Sequence, residues 1–197
     1  MRVYTAVAAS LLVLAACQPP ADAPAKPTES AAATEQTASS GGCDVQIEKP
    51  WLENTAEASV MGPTCEQGVA LLVIRQAGTP VFTWSGLTTF LFGLNEAKDP
   101  AAMRSALLDW IDQGEKPDTT SSLPPWEETE GQPRRAEFPF MPAEWLDKDG
   151  YEQLKKSDLP MFCFPQGMES SQCAVLRPAE NGMPASMEEI GLQLFPG

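Results

Sequence analysis

Gly68-Val69-Ala70-Leu71-Leu72-Val73-Ile74-Arg75 is the stretch that decides the fold class. It is an unbroken apolar run rich in β-branched residues, opened by a glycine and closed by an arginine. Its length is short for a helix that is apolar all round and suits a buried central strand. Gln76-Ala77-Gly78-Thr79 follows as a turn, and Pro80 to Trp84 returns as a second strand. Upstream, Val45 and Ile47 alternate with polar residues across Asp44 to Glu48. Ala56, Ala58 and Val60 share one face of Ala56 to Met61. Both segments read as strands that add to the central one. Gly86 to Leu94 is apolar and fits strand or helix equally.

The clearest helix lies at residues 100–113. Asp99 stands as N-cap and Pro100 at the first helical position, where a missing N–H costs nothing. Met103, Leu107, Trp110 and Ile111 form one apolar stripe at helical spacing, the mark of a core-facing surface. Gly114 supplies the stop. A short second helix fits Gly150 to Lys156. Met161 to Phe164 and Cys173 to Leu176 read as a hairpin over Pro165 to Gln172, and Ile190 to Phe195 as a last short strand. Residues 114–143 hold six prolines and the acidic run Trp126-Glu127-Glu128-Thr129-Glu130. They read as one long loop, of the kind that is usually functional or disordered. The expected fold is α+β: an antiparallel sheet with one main helix (100–113) packed on it. Residues 43–197 suit a single globular domain.

Ahead of that domain the composition changes twice. Gln18 to Gly42 has four prolines, many Ala, Ser and Thr, and no aromatic residue. Such a segment cannot bury enough apolar surface to offset its ordering entropy, so 17–42 reads as a tether. Its reach is roughly 30 Å as a flexible coil and about 80 Å if extended. Before it, Arg2 precedes a short apolar run, Val3 to Ala16, that falls short of the ~20 residues a membrane-spanning helix needs. The run closes with Leu14-Ala15-Ala16-Cys17. This tetrapeptide resembles the lipobox of bacterial lipoproteins. The resemblance covers residues 1–17 alone. It implies that residues 1–16 are a cleaved signal peptide and that the Cys17 thiol takes a diacylglycerol. It implies anchoring to a lipid bilayer through two or three acyl chains, enough for stable attachment. Gln18 stands where an Asp retains such proteins at the inner membrane. The implied location is therefore the periplasmic face of the outer membrane.

With Cys17 assigned to lipid, Cys43, Cys65, Cys163 and Cys173 remain. An even number in an exported chain implies disulfides. Of three pairings, Cys43–Cys65 and Cys163–Cys173 are preferred because each joins cysteines close in sequence beside expected strands. Zinc would need all four widely spaced thiols, since the chain has no His.

Residues 43–197 carry 11 Lys or Arg against 24 Asp or Glu, a net of −13. That field disfavours nucleic acid and would steer a basic protein partner. Its commonest meaning is solubility. The absence of His removes Ser-His-Asp and Cys-His chemistry and zinc-protease motifs. There is no phosphate-binding glycine loop and no CxxC, so no cofactor is expected. Asp147-Lys148-Asp149-Gly150 has the look of a calcium loop. With Gly150 at loop position six, however, positions one and twelve fall on Trp145 and Lys156, which offer no carboxylate. A turn with a helix cap fits better. Carboxylate pairs such as Asp109 with Asp112 and Glu127 with Glu128 are too numerous for one to be singled out. Trp126, beside Pro124 and Pro125, is a candidate partner contact. The competing reading is that it folds back and caps the core. The expectation is a non-catalytic envelope lipoprotein: a binding, accessory or inhibitor module. A small carboxylate-dependent hydrolase of cell-wall polymers is the alternative.

Overall fold

The computed structural model describes residues 42–195. The expected signal peptide, Cys17 and the expected tether up to residue 41 lie outside them. The fold is α+β and disulfide-stabilised, and its antiparallel strands divide into two sheets. The first is a meander of β1 (Cys43–Trp51), β2 (Asn54–Gly62), β3 (Val69–Gln76) and β4 (Thr79–Leu87), in that order. The apolar run from Val69 to Ile74 lies in β3, an interior strand. Ala70, Leu72 and Ile74 are fully buried on one face. The other face explains why the run does not alternate. Val69 stands directly between Met61 on β2 and Leu87 on β4, forming an apolar row that stays half exposed. The turn into β4 places Ala77 and Gly78 at φ of 48° and 82°. Both central residues in the left-handed region are what a tight two-residue hairpin requires.

The second sheet has the order β5-β6-β7-β10-β9-β8. Its strands are β5 (Trp126–Glu127), β6 (Gln132–Arg135), β7 (Phe138–Pro142), β8 (Met161–Gly167), β9 (Ser170–Arg177) and β10 (Ser186–Leu194). Three of these fall in residues 114–143, which the sequence presents as loop. Pro133 lies in β6, and Pro139 and Pro142 in β7. Proline removes a ladder donor and so disguises a strand. The β8–β9 hairpin is also tighter than expected, with only Met168 and Glu169 between its strands.

Two helices complete the fold. In α1 (Pro100–Trp110) the Asp99 carboxylate accepts from the N–H groups of Ala101 and Ala102, both at 2.9 Å. The helix ends three residues before the expected 113. Ile111 leaves the helix yet is buried, and Gln113 is drawn to β8. In α2 (Lys148–Lys156) Asp147 is the N-cap, accepting from Gly150 N–H at 2.8 Å. The Asp147-Lys148-Asp149-Gly150 run is thus a capped helix start.

The second sheet is the middle layer. Phe162, Phe164, Ala174 and Leu176 on one face join α1 and the inner face of the first sheet in the larger core. Met161, Cys173, Val175, Phe140 and Ile190 on the other face pack with Tyr151 and Leu154 of α2 and with Leu123. Burial on both faces explains why β8 and β9 read as continuous apolar runs. The disulfides join Cys43 to Cys65 and Cys163 to Cys173. The first closes 22 residues and restrains the unfolded chain by roughly 3 kcal/mol in the chain-entropy view.

β8 is an edge strand, and its free side is satisfied by side chains. The Gln113 amide donates to Cys163 C=O at 2.7 Å and accepts from Cys163 N–H at 3.1 Å, as a neighbouring strand would. Trp110 Nε1–H donates to Pro165 C=O at 2.6 Å. Covering an edge in this way blocks pairing with another chain. Replacing Gln113 with Ala is expected to cost about 2 kcal/mol, at roughly 1 kcal/mol per hydrogen bond. The urea midpoint should fall accordingly with an unchanged slope.

Candidate functional site

A helix of nine residues is about 13 Å long, while six paired strands span roughly 24 Å. One short helix therefore cannot roof the whole outer face of the second sheet. The part that α2 leaves uncovered is a cavity of about 390 Å³. It is lined by the partly exposed Cys163 of β8, Ser171 of β9 and Gln193 of β10, over the buried Phe140 of β7, Met161 of β8 and Cys173 of β9. The Cys163–Cys173 disulfide thus forms part of the lining. The wall is the segment from Asp118 to Pro124. Arg135, Phe138 and Phe195 stand at the rim, with the two phenyl rings 6.2 Å apart.

The wall is held rigidly. Thr120 is buried, and its hydroxyl donates to Leu154 C=O at 2.8 Å while accepting from Leu159 N–H at 3.0 Å. Tyr151 O–H donates to Pro124 C=O at 2.8 Å. Burial pushes the Tyr151 phenol far above its ordinary range, so it stays a neutral donor. Met161 N–H donates to Asp118 C=O at 2.8 Å, which fixes the other end of the segment.

Two adjacent arginines behave differently. The Arg134 guanidinium donates to both Glu130 carboxylate oxygens at 2.6 Å. Arg135 donates to Ser122 C=O at 2.7 Å, and the six ion pairs among the described residues all use other cations. Among the described residues Arg135 is therefore a cation at an apolar rim with no carboxylate in ion-pair reach. Asp118 is the other charged residue of the lining. It borders the cavity on the β8 side, whereas Arg135 is on the β6 side.

The residues singled out in the sequence fall as follows. Trp126 in β5 is half-buried and packs edge-on against Tyr151, ring centroids 5.7 Å apart, as a cap on the smaller core. Asp112 pairs with Lys49 at 2.7 Å, and Glu128 pairs with Lys148. The structure brings neither Asp109–Asp112 nor Glu127–Glu128 to the cavity. Lys49 and the Gly114 N–H hold the Asp112 carboxyl below its ordinary value. Arg134 does the same for Glu130, and Ser121 and Thr119 for Asp158. Any stability these three contribute is present above the ordinary carboxylate range and is lost as pH falls through their lowered values. A catalytic general acid needs the opposite shift. Among the described residues no three His, Cys, Asp or Glu converge as a metal site would. Sequence reasoning missed Arg135. Its only trace there is an Arg-Arg doublet in an acidic domain.

Comparison with protein-family models, with curated proteins and with solved structures finds no match to this chain.

Proposed function

We propose that the chain is a bacterial envelope lipoprotein, acylated at Cys17, whose folded domain is a non-catalytic binding module. The observation that carries the binding role is the cavity. A largely apolar lining, a volume of about 390 Å³ and one cation with no carboxylate partner among the described residues are the usual make-up of a small-molecule site. The anchor rests on Leu14-Ala15-Ala16-Cys17 behind a basic start and a short apolar run. Gln18 favours the outer membrane. A lipidated terminus and a Pro-rich tether would hold such a domain within roughly 30 to 80 Å of the bilayer.

The test uses the full chain expressed in a bacterium that processes lipoproteins. The wild type is expected in the membrane pellet, with an intact mass that includes acyl chains on residue 17. Cys17→Ser, in a chain exported behind an ordinary cleaved secretory signal in place of residues 1–16, is expected to move essentially all of the protein to the soluble fraction while both disulfides still form. A wild type with no acyl mass, or a Cys17→Ser chain that stays with the membrane, overturns the anchor. Native mass spectrometry of the gently extracted protein reads the binding role separately, as a retained small non-protein mass.

A further inference from the structure

We infer that the cavity takes a single medium-length apolar chain bearing one anionic head, a carboxylate or a phosphate. The inference rests on the binding role proposed above and names its ligand class. Phe138, Phe195 and Cys163 present the partly exposed apolar surface of the cavity, over the buried Leu123, Phe140, Met161 and Cys173. Arg135 is exposed at the rim, and Ser122 C=O is its one hydrogen-bond acceptor among the described residues, so an anionic head there meets a cation that none of their carboxylates neutralises. An anionic head there gains a charge-assisted hydrogen bond, roughly twice as strong as a neutral one. A cationic head would face Arg135 directly.

The domain as a whole is strongly acidic, and this opposes an anion. Distance decides between the two effects. At physiological salt, exposed charges are screened beyond about 8 Å, whereas a guanidinium in contact with the head is not. The acid that counts is Asp118, which lines the cavity on its β8 side. It bars an anion from that end and so directs the head toward Arg135 and the tail inward, over the disulfide.

The experiment uses the chain from residue 17 onward carrying Cys17→Ser, so that no acyl group competes for the cavity. Binding of decanoate, decyl phosphate, decanol and decyltrimethylammonium is measured by calorimetry, each below its micelle concentration. One of the two anions, or both, is expected to bind at one per chain, and the stronger of them identifies the head. Arg135→Gln is expected to weaken that anion by roughly ten- to a hundredfold and to leave decanol within about twofold. Arg134→Gln, which alters a cation already paired to Glu130, is expected to leave both unchanged. Decyltrimethylammonium binding as tightly as the anions, or Arg135→Gln binding them like the parent, overturns the ligand class while leaving a binding cavity in place. No binding by any of the four overturns the cavity as a site for single-chain amphiphiles and withdraws the support it gives the binding role.

Discussion

Gly191→Ala is expected to destabilise the domain by about 4 kcal/mol or more, the range reserved for a few severe mechanisms. Gly191 lies in β10, an interior strand of the second sheet, beside the register shift that follows Glu189. Its φ is 144°, a conformation that an L side chain rarely adopts. A Cβ placed there would collide with the Met141 carbonyl oxygen. It would also stand 2.8 Å from Phe140 Cε1 and 2.9 Å from Pro142 Cα. Two of these three obstacles are backbone, so no rotamer change relieves them. Domains of this size have about 5–15 kcal/mol in total, so the variant should accumulate poorly and melt far below the parent. Gly78→Ala is the control. Its φ is 82° and nothing lies within 4 Å of the added Cβ. Only the left-handed conformation is penalised there, about 1–2 kcal/mol. Denaturation of both variants checks the contrast. Equal losses would mean that the approach of β7 to β10 is looser than described.

Phe164→Ala is expected to cost about 3–5 kcal/mol through lost burial and the cavity left behind. Phe164 is fully buried where both sheets and α1 meet. Its ring centroid lies 5.1 Å from Trp84 of β4, 5.5 Å from Trp110 of α1 and 6.4 Å from Phe162 beside it on β8. These contacts tie α1 and the first sheet to the second. The loss should appear as a lower denaturant midpoint and as altered tryptophan emission, since Trp84 and Trp110 both flank the void. The Cys163–Cys173 bridge should be unaffected, because Cys163 points to the opposite face. A cost below about 1 kcal/mol would show that the larger core does not depend on this junction.

The elements legible in the sequence were those with local chemistry. The apolar run of β3, the turn over Gln76 to Thr79, the Asp99 cap and the α1 stripe are each fixed by neighbours in the chain. The two disulfides were legible because each pair closes a short loop. The division into two sheets was not, since an apolar alternation says that a strand has a buried face and not which strand lies beside it. β6 and β7 were hidden by their prolines, which remove ladder donors, and β5 by its length of two residues. The cavity was hidden for a different reason. Its lining comes from β6 to β10 and the 118–124 segment, with no shared periodicity. Arg135 stands out only once Arg134 is seen to take Glu130. Trp126 drew notice for its prolines, and what decides its place is the ring of Tyr151, distant in sequence.

Methionine methyl groups offer the most direct test that the cavity is the binding site. Met161 lines it, Met168 lines a neighbouring cleft, and Met61 and Met183 are exposed elsewhere. The chain from residue 17 with Cys17→Ser, labelled with ¹³C at the methionine methyls, is titrated with decanoate and with decyl phosphate. If the cavity is the site, the Met161 resonance shifts saturably at one ligand per chain while Met61 and Met183 stay in place. Shifts at Met61, Met168 and Met183 with Met161 unmoved would put the ligand on the exposed surface and contradict it.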